Sequence, residues 1–149
     1  MKDLVTGAAG FIGSNLTDSL LGKGRFVIGI DDFSRNYDPK QKRRNIEKTL
    51  NNKNFELKNS NILDFDSLKE LDEVDTVYHL AGQPGVQTSW GSGFETHLDR
   101  NVLSTQRLLE ECLEKSVRRV VIASSSSIYG PTNRESKETD LPHPVSPYG

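Results

Sequence analysis

The chain carries 19 Lys and Arg against 21 Asp and Glu over 149 residues, a net charge of −2 that gives no electrostatic footprint for nucleic acid or an anionic membrane. A hydrophobic fraction of 34% is enough for one domain with a proper core, and a single cysteine, Cys112, excludes an intramolecular disulfide and suits a reducing compartment. No apolar run approaches the ~18 residues of a transmembrane helix, and the N-terminus enters Leu4-Val5-Thr6-Gly7 at once, with no room for a signal peptide, so a cytoplasmic protein is expected.

The first strand is expected at the short apolar run Leu4-Val5, which leads into Thr6-Gly7-Ala8-Ala9-Gly10-Phe11-Ile12-Gly13. Three glycines at Gly-x-x-Gly-x-x-Gly spacing then sit where a strand hands over to a helix. Glycine permits the tight turn and the close approach of a ligand. The free N–H groups and positive dipole end of the new helix suit a pyrophosphate. The helix is predicted from about Phe11 to Lys23, with Ile12, Leu16 and Leu20 as its apolar stripe and Gly22 and Gly24 at its end. A second, doubly covered strand follows at Phe26–Ile30 and ends in Asp31-Asp32. Asp31 lies 18 positions after Gly13, close to the ~20 that separate a dinucleotide glycine motif from its ribose-binding acid. A carboxylate there accepts from a free ribose diol and repels a 2′-phosphate, which selects NAD over NADP.

A polar, basic helix is predicted from Asp38-Pro39 to Leu50; its Lys40, Lys42, Arg43 and Arg44 are assigned to a solvated face. Phe55-Glu56-Leu57 is a third strand, Asp64–Leu71 a short helix, and Thr76–Leu80 a fourth strand running into Ala81-Gly82. A longer helix over Glu95–Lys115 carries Leu98, Val102, Thr105, Leu109 and Cys112 on one face. Arg119–Ala123 is the fifth strand, with Ser124-Ser125-Ser126-Ser127 at its carboxyl end, and a polar, proline-bearing loop follows Gly130. The alternation predicts an α/β domain with a mostly parallel sheet and its ligand beyond the strands' carboxyl ends. His79, His97 and His143 show no metal-ligand spacing, so no metal is expected, and Cys112 reads as a helix-face hydrophobe. Trp90 and Phe94 lie in a Gly/Ser-rich loop that could border a substrate.

Together, the glycine stretch, Asp31, His79-Leu80-Ala81-Gly82, Asn101-Val102, Ser124–Gly130 and Ser146-Pro147-Tyr148 resemble, in family order, the N-terminal part of an extended short-chain dehydrogenase/reductase of the NAD-dependent sugar-nucleotide epimerase/dehydratase group. The resemblance implies a Rossmann-type doubly wound parallel sheet, a single incomplete NAD-binding domain over residues 1–149, truncated before a C-terminal substrate-binding lobe. It implies that Gly7, Gly10, Phe11, Ile12 and Gly13 cradle the pyrophosphate and that Asp31 and Asp32 hold the adenosine ribose. Asn61-Ile62 would flank the adenine, with Asn61 in place of the usual acid. Leu80, Ala81 and Gly82 would line the cofactor, and Asn101 would lie near the nicotinamide-side ribose. Ser125 matches the catalytic Ser/Thr, Tyr148 matches the tyrosine of Tyr-x-x-x-Lys, and Ser126 and Ser127 are assigned to the substrate. The lysine of that motif would fall past Gly149.

A free tyrosine, with a pKa of ~10, is a poor base at neutral pH. A neighbouring lysine and the positive nicotinamide would favour its phenolate. Dehydratases and decarboxylases of the group carry acidic residues beside the catalytic Ser/Thr. Ser126-Ser127 cannot do that work, so epimerisation is expected, with dehydration, decarboxylation or a non-catalytic NAD-binding protein as the alternatives. Asp31–Pro39 with Lys42 and Arg43, and His143-Pro144-Val145-Ser146, are similar to UDP-glucuronate 4-epimerases, with UDP-glucose and UDP-N-acetylglucosamine epimerases next. The implied partners are a UDP-hexose or UDP-hexuronate and, at full length, a second copy of the chain. The 149 residues alone are expected to be inactive.

Overall fold

Strand and helix alternate as expected. The computed structural model describes residues 1–64 and 71–149, so the helix expected over Asp64–Leu71 lies largely outside the described residues. Five parallel strands, β1 (Lys2–Thr6), β2 (Phe26–Ile30), β3 (Phe55–Lys58), β4 (Val74–His79) and β5 (Arg119–Ile122), form one sheet in the order β3-β2-β1-β4-β5. Successive side chains of a strand face opposite ways, and β1 shows the consequence. Leu4 joins Ile28, Ile30, Val77, Leu108 and Cys112 in one cluster, whereas Val5 joins Ala8, Leu20, Leu21 and Val27 in another. Helix α1 (Phe11–Gly22) covers the second face. The first is covered by a composite helix: α3 (Phe94–His97), a π-helical turn (Leu98–Leu103) and α4 (Ser104–Glu114).

Two predicted apolar stripes are rotated. In α1 the buried positions are Gly13, Ser14, Thr17, Leu20 and Leu21, while Ile12 is 64% exposed. The cause is Gly13, which presses so closely on the glycine turn that the helix must present that side to the sheet. In the composite helix, Ser104, Leu108 and Cys112 face inward, whereas Leu98, Val102 and Leu109 are exposed. The inward row runs through His97, Asn101, Ser104, Leu108 and Cys112, one residue before each predicted position as far as Leu108. The basic helix α2 (Pro39–Ile46) is shorter than expected. It opens with Asp38 accepting from the Lys40 N–H and is followed by a separate 3₁₀ turn at Thr49–Asn51.

Register places the site. Thr6 pairs with both Ile30 and His79, Ile30 with Lys58, and His79 with Ile122. The strands therefore end in one row, and Gly7, Asp31, Asn59, Leu80 and Ala123 leave the sheet side by side. The chain order reverses between β1 and β4, where ligands of such sheets bind. At the opposite edge the buried Asp3 carboxylate receives two bonds from the Arg25 guanidinium, and Asp75 pairs with Arg118.

Candidate cofactor and active site

The glycine turn is clamped from several directions. Gly7 and Ala8 donate to the Ile30 carbonyl at 2.8 and 3.2 Å, and Gly10 donates to Gly7 O at 3.0 Å. Gly7 has φ +68°, and a Cβ there would stand 2.9 Å from the Ala81 nitrogen, so only glycine fits between the turn and the β4 exit. The Ala9 N–H donates to Asp31 Oδ2 at 3.0 Å, and Asn45 Nδ2 donates to the Ala9 carbonyl at 3.0 Å. Helix α2 thus braces the turn. Gly10 caps α1 with no side chain, leaving the Phe11 and Ile12 N–H groups with no carbonyl four residues back. The Phe11 and Ile12 side chains point to solvent, so any contribution of theirs to a pyrophosphate is through the backbone.

A cleft of about 230 Å³ opens over this turn. Of the residues expected at a cofactor, Gly7, Gly10, Asp31, Asp32, Asn61, Ile62, Leu80, Ala81 and Gly82 line it together. Gly13 does not; it is buried beneath the turn. Asn101 lies just outside, accepting from the Gln83 N–H at 2.7 Å and donating to the Gln83 carbonyl at 3.0 Å. Ser125 and Tyr148 stand apart from this cleft.

The two acids divide their work. Asp31 is buried, accepting from Ala9 N–H on one oxygen and from Phe33 N–H and Lys42 Nζ (both 2.8–2.9 Å) on the other. Lys42 is only 6% exposed, which corrects its assignment to a solvated face. Its ammonium neutralises an acid that would otherwise be buried and unpaired. Asp32 is the more open acid. It accepts from Ser34 N–H and from Asn61 Nδ2, and pairs with Arg100 at 3.3 Å. Asn61 therefore supports Asp32 where an acid would repel it. Lys42 and Arg100 are contributors the sequence reading missed. Arg100 had no local signal; Lys42 was hidden in a basic run.

His79 ties the strand ends to the composite helix. Thr105 donates to the Asn101 carbonyl at 2.6 Å, so its oxygen receives the His79 Nε2–H at 3.0 Å. Nδ1 is then left to accept from the Thr6 hydroxyl at 2.7 Å. Thr6 Oγ1 in turn accepts from the Leu80 and Ala81 N–H groups. Burial pushes the His79 pKa down to about 4. The unfolded chain would hold a proton there below ~6.5 and the folded chain only below about 4. Stability attributable to His79 is thus full above pH ~6.5 and lost as pH falls toward 4, on the order of 3 kcal/mol in all. Denaturant midpoints measured from pH 7.5 to 4 should fall less steeply for His79→Gln than for the unaltered protein; identical slopes would refute the assignment.

At the end of β5, Ser125 caps a 3₁₀ turn (Ser126–Tyr129), its Oγ accepting from Ser127 N–H at 3.1 Å. That bond uses a lone pair and leaves the hydroxyl proton available. The segment after Gly130 returns to this turn: His143 N–H donates to Ile128 O at 2.7 Å, and a Cβ on Gly149 would stand 2.6 Å from Ser127 O. Tyr148 is thereby held beside the serine turn. Its N–H donates to Ser89 Oγ and its ring stands edge-on to His97, centroids 5.7 Å apart. The described hydrogen bonds include none between Ser125 and the Tyr148 phenol. Ser126 and Ser127 lie in the turn itself, and Trp90 and Phe94, in the segment that follows Ser89, are exposed.

The residues present fit a dinucleotide. The uncapped α1 terminus, the glycine approach to Ala81 and the open Asp32 carboxylate form one cleft. Ser60 Oγ, also in the lining, is buried and finds no partner among the described residues. Among those residues no helix is long and apolar enough to cross a membrane.

Comparison with known proteins gives the same direction. The model of the NAD dependent epimerase/dehydratase family matches residues 4–149. A protein of Bacillus subtilis described as an uncharacterized UDP-glucose epimerase is 45% identical across the whole chain and 48% of its own length. A UDP-glucuronate 4-epimerase of Thermodesulfobacterium geofontis is 35% identical over 97% of the chain and 46% of its own. The crystal structure of UDP-glucuronic acid 4-epimerase from Bacillus cereus, in complex with UDP-glucuronic acid and NAD, superposes with a TM-score of 0.94 at 43% identity, covering 99% of this chain and 48% of that one. The chain thus spans about half the length of the relatives it matches.

Proposed function

Because the chain belongs to the NAD dependent epimerase/dehydratase family, we infer that the longer protein containing it is an NAD-dependent UDP-sugar 4-epimerase, with UDP-glucuronate the favoured substrate and UDP-glucose next. The observation that carries this reading is the return of Tyr148-Gly149 onto the Ser125–Tyr129 turn, at the same sheet edge as the glycine cleft. That return keeps Tyr148 with the serine turn at the carboxyl end of the sheet, which supports assigning the pair to proton transfer.

When bound, NAD supplies the acceptor and donor of hydride at the sugar C4. The Phe11 and Ile12 N–H groups and the positive end of α1 receive the pyrophosphate. Asp32, braced by Asn61 and Arg100, accepts from the ribose hydroxyls, while Asp31 is engaged with Lys42 and the turn. Ser60 Oγ offers a hydrogen bond toward the adenosine end. Asn101 fixes the Gln83 loop beside Gly82. Tyr148 takes the C4 hydroxyl proton and later returns it, with the Ser125 hydroxyl hydrogen-bonded to the same sugar oxygen. Ser126 and Ser127 contact the sugar and offer no acid for elimination. The protein that turns over acts as a homodimer in the cytoplasm.

The test is to incubate the longer protein separately with UDP-glucuronate, UDP-glucose and UDP-N-acetylglucosamine and to resolve the C4 epimers by chromatography. The expected result is fastest inversion of UDP-glucuronate. Bound NAD with no inversion of any of the three would instead support a non-catalytic NAD-binding protein.

A further inference from the structure

We propose that His97 is a positioning residue that sets the Asn101 carboxamide and the Tyr148 ring together, coupling the cofactor-side loop to the base. The inference rests on the epimerase reading for the role of Tyr148. His97 is 3% exposed, and each edge of its ring is used. The Thr88 hydroxyl donates to Gly85 O at 3.2 Å, so its oxygen receives the His97 Nε2–H at 3.1 Å. Nδ1 is then an acceptor, and Asn101 Nδ2 donates to it at 3.3 Å. Asn101 cannot turn over without loss, because its Oδ1 already takes the Gln83 N–H. The ring itself stands at 74° to Tyr148, an edge-on contact that fixes the plane of the phenol.

The loop before α3 is built around this histidine's partner. Gly85 has φ +121°, and a Cβ there would stand 2.6 Å from Thr88 Oγ1. A Cβ on Gly93 would stand 2.0 Å from Thr88 O. Two glycines thus close on Thr88 from both sides, and Ser89, next to it and fully buried, accepts the Tyr148 N–H. A histidine serving only to fill core would not need its hydroxyl partner so confined. The arrangement runs without a break from Gln83, through Asn101, His97 and Thr88, to the segment that holds Tyr148.

Two substitutions in the longer protein separate the two contacts. His97→Phe keeps an aromatic ring against Tyr148 and removes both hydrogen bonds. His97→Asn keeps an acceptor for Asn101 in the place of Nδ1 and removes the ring. Titration calorimetry of the cofactor-stripped protein gives the NAD Kd, and turnover at saturating NAD gives kcat. For His97→Phe the larger loss should fall on NAD affinity, about tenfold, the worth of one buried hydrogen bond. For His97→Asn the larger loss should fall on kcat, again about tenfold, because a base held loosely is out of line with its proton. Losses of Kd and kcat by equal factors in both variants, in step with a lowered Tm, would overturn the proposal and leave His97 a core residue, as would the absence of any change. An unaltered protein that binds NAD and inverts no UDP-sugar would overturn the epimerase reading instead, and the Kd contrast between the two variants would then decide the Asn101 link by itself.

Discussion

Gly13→Ala should cost this domain much of its stability and should also strip it of NAD. A Cβ at Gly13 would stand 2.1 Å from Gly7 O, 2.9 Å from Gly7 C and 3.0 Å from Ala8 Cα. Every obstacle is backbone, so no side chain can swing aside. Relief requires α1 to move off the turn, and the turn is fixed by Ile30 O, Asp31 and Asn45. Overpacking that can be relieved costs about 1–3 kcal/mol, and this case lies at or above the upper end. For a domain of this size that is a fall in Tm of roughly 10 °C. Any NAD the surviving protein binds should be held much more weakly, because the displaced helix carries the Phe11 and Ile12 N–H groups. Gly22→Ala is the control. It lies at the other end of the same helix with nothing within 4 Å of the added carbon, so it should be neutral or stabilising by about 0.5–1 kcal/mol. Equal melting temperatures for the two variants would sink the argument.

The glycine turn also shows what a sequence discloses. Gly7 and Gly10 were legible because their roles are backbone roles at a fixed spacing, and the parallel register then sets them beside Asp31. Strand positions were legible for a similar reason: Phe26–Ile30 is nearly all apolar because the sheet covers it on both faces. Helix faces were not. The stripe through Leu98, Val102 and Leu109 followed the apolar residues, whereas the inward row is largely polar, with His97, Asn101 and Ser104 preceding Leu108. Lys42 failed differently: within a basic run its neighbours Arg43 and Arg44 are exposed, and only the position of Asp31 across the fold explains why Lys42 alone turns inward. Asn61 seemed a weakness where an acid was expected, yet beside Asp32 an amide donor is the more useful group. Residues whose meaning depends on a partner far along the chain stay silent until the partner is placed.

Tyr148→Phe tests the reading of the base with little disturbance elsewhere. The substitution removes one oxygen and keeps the ring, so the edge-on contact with His97 survives. The bond from the residue 148 N–H to Ser89 Oγ is a backbone bond and survives as well. Neither contact depends on the phenol, and Tyr148 is not among the residues lining the adenosine cleft. NAD affinity and Tm in the longer protein should therefore change little. Turnover should fall about 10²–10⁴-fold, the contribution of a positioned general base. Ser125→Ala should cost less, because its hydroxyl assists at the same sugar oxygen and is not the proton's destination. It should also lower Tm slightly, since Ser125 Oγ caps the Ser126–Tyr129 turn. The order of the two effects matters. A Tyr148→Phe protein retaining more than about a tenth of its turnover would move the base elsewhere, and a Ser125→Ala protein losing more than Tyr148→Phe would make the serine turn, rather than the tyrosine, the seat of proton transfer.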